Sequence, residues 1–182
     1  MVKNTGTKTN EAVFWKGFDA CFGYPASKDA SVHQDFYQNE FNEVKAVCGF
    51  EPMAVQIVHS LKEKGIRVVL ATNPLFPSVA TENRIRWAGL QPDDFAYITT
   101  FESSHYCKPN PDYYREIMEK LHLKPEECLM VGNDVGEDMI ARQLGMQVFL
   151  LTDCLINKAS EDISQYPNGG FAELDAHLKR LF

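Results

Sequence analysis

Cys128-Leu-Met-Val-Gly-Asn-Asp-Val-Gly-Glu-Asp138 joins an apolar run to a cluster of acidic side chains. Four apolar residues lead up to Gly132, and three acidic side chains then follow within five residues. An apolar run of this length is typical of a buried strand, and carboxylates just past a strand's carboxyl end are typical of a ligand site. Oxygen-rich clusters of this kind suit Mg²⁺, which binds through one or two carboxylates together with substrate phosphate. The alternative is a polar turn whose acidic residues are favoured by the dipole of the following helix.

Helices and strands alternate along the chain from Glu51 onward. The apolar spacing predicts helices at 52–65, 77–88, 111–121, 137–144 and 171–181. Apolar runs predict strands at 66–72, 97–100, 128–131 and 147–152. Strands that alternate with helices in this way predict an α/β fold with a mostly parallel, doubly wound sheet.

Residues 1–50 have a different pattern, rich in aromatic residues and helical in spacing. Phe14, Phe18 and Phe22 recur every four residues, and further apolar side chains continue at similar intervals as far as Val47. A turn at 23–29 separates two helical stretches. We therefore predict two parts, an N-terminal helical region over residues 1–50 and an α/β core over residues 51–182.

Composition and charge exclude several classes of partner. The 182 residues carry 18 Lys and Arg against 25 Asp and Glu, a net charge of −7, and no basic cluster exceeds two residues. Nucleic acid and anionic membrane surfaces both require a basic footprint, so neither is an expected partner. No apolar segment is long enough to span a bilayer, and the first residues do not have the pattern of a signal peptide. The five scattered cysteines suit reduced thiols, which predicts a cytoplasmic protein with neither a disulfide framework nor a zinc site.

Two further polar segments stand where strands end, and ligands gather at those ends in parallel sheets. Thr72 and Asn73 follow an apolar strand, and their hydroxyl and carboxamide can donate hydrogen bonds to an anionic oxygen. Lys108 lies between a strand and a helix, where two prolines around Asn110 stiffen the loop and hold its ammonium in place. The alternatives are ordinary turn chemistry at Asn73-Pro74 and a solvated loop lysine.

The chain resembles the haloacid dehalogenase-like (HAD) hydrolase superfamily in three segments that occur in the family's order. They are the strand ending in Thr72-Asn73, then Lys108-Pro-Asn-Pro111, then Val131-Gly-Asn-Asp-Val-Gly-Glu-Asp138, which match the second, third and fourth motifs. The resemblance covers about Glu51 to Thr152. It implies a HAD-like Rossmannoid core with a doubly wound parallel sheet, preceded by part of a helical cap in residues 1–50.

The same resemblance implies the role of each site residue. Thr72, with Asn73 beside it, would bind the transferring phosphoryl group, and Lys108 would bridge that group and the nucleophile. Three residues are candidates to hold Mg²⁺: Asn133, Asp134 and Asp138. The family has Asp directly after the glycine where this chain has Asn133, so the choice of ligand among the three stays open. The implied activity is Mg²⁺-dependent hydrolysis of a small phosphorylated molecule, with metal and lysine offsetting the charge on the phosphoryl group.

The family's first motif, an apolar strand ending in Asp-x-Asp, is absent from this sequence. Its two carboxylates supply the nucleophile and the general acid–base. Three aspartates precede Thr72, namely Asp19, Asp29 and Asp35, and none of them follows an apolar strand. In the resembling fold the first strand lies in the middle of the sheet, so its loss would leave unpaired strand edges. We therefore expect an N-terminally shortened, inactive form, and a start-site error, a gene fragment and genuine degeneration are the open explanations.

Two other functions are open on the sequence. A non-catalytic descendant of the fold that binds phosphate, a metal or a protein partner would keep the same residues. A receiver-like signalling domain also uses a carboxylate cluster, a Thr and a Lys around Mg²⁺. In that domain the acidic cluster precedes the Thr and the Lys, whereas here it follows both Thr72 and Lys108.

Overall fold

A computed structural model describes residue 1 and residues 3–182, whose contacts divide into two units. The first unit is Met1–Cys107 and the second is Lys108–Phe182. Because this division follows contacts within the chain, it does not test the predicted boundary between a cap and a core near residue 50. That boundary stays a prediction.

The first unit contains four α-helices and a parallel pair of short strands among the residues described. The helices are α1 (Asn10–Phe22), α2 (Ala30–Gln38), α3 (Pro52–Glu63) and α4 (Ser78–Trp87). The strands β1 (Val69–Leu70) and β2 (Tyr97–Ile98) pair in parallel, with Val69 opposite Tyr97. Short 3₁₀ segments occupy 26–29, 40–47 and 92–94. α1 begins where the Thr9 side chain accepts a hydrogen bond from the backbone of Ala12, and it ends at Gly23 in the left-handed region.

The four-residue spacing of phenylalanines predicted a helix, and α1 confirms it. Consecutive rings stack along one side, with 5.3 Å between the Phe14 and Phe18 centroids and 4.5 Å between Phe18 and Phe22. This side is not fully covered, because Phe22 is 57% exposed. The region is therefore a helical layer with an aromatic surface.

The second unit is built around a three-stranded parallel sheet. Its strands are β3 (Leu129–Gly132), β4 (Gln147–Leu151) and β5 (Asn168–Gly169), in the order β3-β4-β5. Its helices are α5 (Pro111–Leu121), the short α6 (Val135–Asp138) and α7 (Phe171–Leu181), and 3₁₀ segments occupy 125–127, 139–144 and 163–165. Leu129 lies opposite Gln147 and Val131 opposite Phe149. This register carries both strands to the same end of the sheet, where the acidic loop begins.

The α/β class with parallel strands predicted from the sequence is confirmed, and several details differ. The strand predicted at 66–72 pairs only at Val69–Leu70, because a two-residue partner limits the ladder. The helix predicted at 137–144 begins at Val135, where Asp134 caps it, and it tightens to a 3₁₀ helix from Met139. The strand β5 was not predicted, since Asn168-Gly169 has none of the residue types that favour strands.

Two asparagines at the start of the chain, Asn4 and Asn10, are buried. Asn10 is fully buried and donates through its side chain to the carbonyls of Tyr106 (3.2 Å) and Pro74 (3.5 Å). Asn4 in turn donates to the Asn10 side-chain oxygen at 2.9 Å. These bonds join the start of the chain to the loop that follows β1, at Pro74, and to the segment that follows β2, at Tyr106. Of the helices in residues 1 and 3–182, none is long and apolar enough to cross a membrane.

Candidate functional site

The acidic loop joins the end of β3 directly to the start of α6. Asp134 caps the helix, and its Oδ1 accepts hydrogen bonds from the backbone N–H groups of Gly136 (2.9 Å) and Glu137 (3.0 Å). Aspartate is a preferred residue at this position because its carboxylate satisfies N–H groups that have no partner inside the helix. The second oxygen, Oδ2, accepts no hydrogen bond from any residue that the structure describes. One oxygen of Asp134 therefore holds the loop and the other is available to a ligand.

Lys108 and Asp138 form a buried ion pair beside this loop. The Lys108 Nζ lies 2.6 Å from Asp138 Oδ1, and the two residues are 6% and 4% exposed. Asp138 Oδ2 accepts a hydrogen bond from the backbone N–H of Asp134 at 3.0 Å. Asp138 thus links the lysine to Asp134, the residue that caps α6. Because the pair is buried this deeply, water does not screen the attraction between its two charges.

Gly132 makes room for Asp138. A methyl group at Gly132 would collide with the Asp138 carboxylate, since a Cβ built there overlaps Asp138 Cγ and Oδ2. The glycine that ends the strand therefore lets the carboxylate pass close to the backbone, where it reaches both Lys108 and the N–H of Asp134.

Residues 154–156, which follow β4, form hydrogen bonds with the acidic loop. The Ile156 N–H donates to the Asn133 carbonyl (2.8 Å), and the Ile156 carbonyl accepts from the Val135 N–H (2.9 Å). The Asn133 side chain donates through Nδ2 to the Cys154 carbonyl at 2.6 Å. These bonds turn the Asn133 amide so that its nitrogen faces the 154–156 segment. Its oxygen, Oδ1, stays available as a second ligand atom.

Thr72 and Asn73 belong to the first unit and follow β1 there. The Thr99 hydroxyl donates to the Thr72 carbonyl at 2.7 Å, and the Asn73 carbonyl accepts from the Leu75 N–H at 2.8 Å. Both residues are half-buried. Their backbone is thus fixed by local hydrogen bonds at the end of the strand, as the sequence placed them.

The structure brings together Lys108, Asp134 and Asp138 of the predicted site residues, with Asn133 in the same loop. Their predicted roles, and those of Thr72 and Asn73, stay predictions. The sequence did not reveal that Lys108 pairs with Asp138, or that the 154–156 segment holds the loop. The one sequence signal for that segment is the apolar pair Leu155-Ile156 in an otherwise polar stretch. Both side chains are exposed in the structure.

Two of the three aspartates before Thr72 are engaged in local hydrogen bonds, and the third is exposed. Asp19, in α1, accepts hydrogen bonds from the Ser27 backbone N–H (2.7 Å) and hydroxyl (2.9 Å). Asp35 accepts from the Asn39 side chain at 2.8 Å, and Asp29 is exposed at the start of α2. None of the three stands at the end of a strand.

The oxygen atoms of the acidic loop fit a hard cation that keeps several of its waters. Asp134 Oδ2 and Asn133 Oδ1 are the ligand types that Mg²⁺ prefers, and one or two such groups suffice when phosphate supplies the rest. Asp138 is less suited, because both of its oxygens already accept hydrogen bonds. Within residues 1 and 3–182, no three His, Cys, Asp or Glu side chains gather closely enough to enclose a metal by themselves.

Comparison with known proteins gives one family. A family model described as haloacid dehalogenase-like hydrolase matches residues 10–145. Among curated proteins, the phosphoglycolate phosphatase of Vibrio vulnificus (strain YJ016) is 29% identical over 121 residues, which are 66% of this chain and 50% of that protein. The chain spans about half the length of the curated relatives it matches.

Solved structures with the same fold extend the comparison. CbbY from Rhodobacter sphaeroides in complex with phosphate matches with a TM-score of 0.58 and 21% identity, over 80% of this chain and 68% of that one. YfnB from Bacillus subtilis bound to magnesium matches with a TM-score of 0.57 and 18% identity, over 70% of this chain and 55% of that one. At these identities the likeness concerns the fold.

Proposed function

Because the chain belongs to the haloacid dehalogenase-like hydrolase family, whose model matches more than half of it, we propose that it carries the phosphoryl- and metal-binding side of a Mg²⁺-dependent phosphomonoester hydrolase. The buried Lys108–Asp138 pair next to Asp134 is the observation that supports this proposal most strongly. Through Asp138 it connects a buried positive charge to the backbone of Asp134, whose Oδ2 is open to a ligand.

Lys108 is proposed to bind a phosphoryl oxygen. An ammonium has three N–H donors, and Asp138 accepts one of them, so the lysine is oriented before any ligand arrives. A charge that is already in place costs no reorganisation when negative charge develops on a transferring phosphoryl group. Asp138 is therefore assigned to holding Lys108, and the metal to the other two candidates.

Asn133 and Asp134 would hold Mg²⁺ through Oδ1 and Oδ2. When bound, the ion would neutralise charge on the phosphoryl oxygens and help to orient them. The N-cap bonds of Asp134 Oδ1 and the Asn133 bond to Cys154 keep both side chains in one rotamer, so that the two oxygen atoms are preorganised.

The proposed substrate is a small phosphorylated molecule. For Thr72 and Asn73, the family resemblance supports the proposal that they bind a phosphoryl oxygen. Support comes from the relative named phosphoglycolate phosphatase and from CbbY, whose structure contains phosphate. The acidic net charge of −7 disfavours nucleic acid as a substrate. The cytoplasm is the proposed location, and residues 1–50 are proposed to act as a partial cap.

We further propose that this chain on its own binds the phosphoryl group and does not turn it over. A phosphohydrolase of this type needs a carboxylate nucleophile and a second carboxylate that shuttles the proton. Asp19, Asp29 and Asp35 lie in helical or turn segments and engage in local contacts or face solvent. None of these three is placed to act as that nucleophile.

A Mg²⁺ titration followed by amide NMR tests the assigned ligands. The backbone signals of Asp134 and Gly136 should shift saturably, and Asp134→Asn should raise the dissociation constant about tenfold or more, because it removes the charged oxygen. Asparagine is an equally good helix cap, so the loop should stay folded. Asp175→Asn is the matched control, since it removes one carboxylate from α7, where Asp175 is half-buried and pairs with Lys179. If both variants lost affinity equally, the effect would come from overall charge, and Asp134 would not be a Mg²⁺ ligand.

A further inference from the structure

Two consecutive tyrosines of α5 approach the Lys108–Asp138 pair, one at each partner. The Tyr113 ring centroid lies 5.7 Å from Lys108 Nζ. The Tyr114 hydroxyl donates a hydrogen bond to the Glu137 carbonyl at 2.7 Å. Both tyrosines are almost fully buried, at 1% and 2% exposed. The helix that follows Lys108 therefore contacts the lysine with one side chain and the acidic loop with the next.

The carbonyl that Tyr114 bonds belongs to the peptide unit immediately before Asp138. That peptide unit ends at the backbone nitrogen of Asp138. Its orientation therefore fixes the direction in which the Asp138 side chain leaves the backbone. α6 also ends at Asp138, and the chain tightens to a 3₁₀ helix from Met139. The Tyr114 bond is thus made where the helix changes its winding, and where a small rotation would move the carboxylate away from Lys108.

A purely structural role for Tyr114 would need only the ring. Phenylalanine fills the same volume, whereas a buried tyrosine hydroxyl needs a hydrogen-bond partner. Here burial, with a further contribution from the Asp138 charge, raises the pKa of Tyr114. The hydroxyl therefore stays protonated and keeps its role as donor to the Glu137 carbonyl.

We propose that Tyr114 is a positioning residue whose hydroxyl, through the Glu137 carbonyl, sets the Asp138 carboxylate and with it the Lys108 ammonium. Its use in phosphoryl binding rests on the function proposed above. The geometric part does not, because it concerns only the second unit's own side chains.

Trace acetylation of lysines, read by mass spectrometry, tests the geometric part. In Tyr114→Phe the rate at Lys108 should rise about tenfold relative to Lys120, the size expected for loss of one buried hydrogen bond. The matched control is Tyr166→Phe, which removes a hydroxyl in the same unit from a ring that lies 5.9 Å from the Arg142 guanidinium. The control should leave the Lys108 rate unchanged.

The outcomes separate positioning from general stability. The proposal is supported if the acetylation rate of Lys108 rises while the urea midpoint and the Lys120 rate stay unchanged. If Tyr114 acted only by the packing of its ring, the Lys108 rate would not rise. An unchanged Lys108 rate in Tyr114→Phe overturns it, as does an equal rise at all lysines. Inorganic phosphate binding, measured on the same variants, should weaken in Tyr114→Phe only. If the unaltered chain does not bind phosphate, the proposed function fails while the acetylation result still decides the role of Tyr114.

Discussion

Asp138→Asn is expected to lower the free energy of unfolding by about 3–5 kcal/mol, the cost of leaving a buried charge without its counter-ion. The substitution keeps the size of the side chain and removes only the charge that faces Lys108 at 2.6 Å. Both residues are at least nine-tenths buried, so solvent cannot take over the role of the lost carboxylate. Urea denaturation followed by circular dichroism measures the change.

The double variant Lys108→Met with Asp138→Asn tests whether the ion pair itself causes the loss of stability. It removes both charges and retains an acceptor for the Asp134 N–H, and replacing a buried pair by uncharged residues is often close to neutral. We expect most of the lost stability to return, which appears as a large coupling energy in a double-mutant cycle. If the double variant instead lost as much stability as the two single variants added together, the ion pair would not be the cause of the destabilisation.

Gly132→Ala is expected to destabilise the protein by about 1–3 kcal/mol, the usual cost of overpacking. Its new methyl group would overlap the Asp138 side chain, which cannot move aside while Lys108 and the Asp134 N–H hold it. The same displacement should also increase the acetylation rate of Lys108. Thermal unfolding and mass spectrometry measure the two effects.

Gly136→Ala is the matched control for this prediction. It makes the same substitution four residues later, where the added Cβ would meet only Asp134 Oδ1 at an ordinary distance of 3.6 Å. Since alanine favours helices over glycine, this variant should gain about 0.5–1 kcal/mol. If the two substitutions changed stability alike, close packing of Gly132 against Asp138 could not be the explanation.

The sequence predicted best the elements that carry local signals at both ends. α3 begins at Pro52, and α5 follows Asn110-Pro111, where the Asn110 side chain accepts from the Asp112 N–H. Apolar runs likewise placed β3 and β4 to within one residue at each end. Proline, a capping residue and a regular apolar spacing act within one turn of chain, so a sequence displays them directly.

What the sequence could not predict depends on contacts between distant residues. Lys108 and Asp138 are thirty positions apart, and only the folded second unit shows that they pair. The same holds for Ile156, whose backbone bonds to the acidic loop, and for the buried Asn10, which bonds to Pro74 and Tyr106. The 3₁₀ segment at 40–47 had helical spacing, and spacing alone does not distinguish the two kinds of helix.

Phosphorus-31 NMR of phenyl phosphate mixed with the purified chain and Mg²⁺ shows directly whether the chain binds a phosphoryl group and whether it hydrolyses the ester. If Lys108, Asp134 and Asn133 bind a phosphoryl group without turning it over, the phenyl phosphate signal shifts saturably and no inorganic phosphate signal grows. The double variant Lys108→Met with Asp138→Asn, which has lost the ammonium and is expected to stay folded, should bind phenyl phosphate more weakly and shift its signal less. Identical shifts with the chain and the double variant would contradict the proposed phosphoryl site, and a growing inorganic phosphate signal that the double variant abolishes would contradict the absence of turnover.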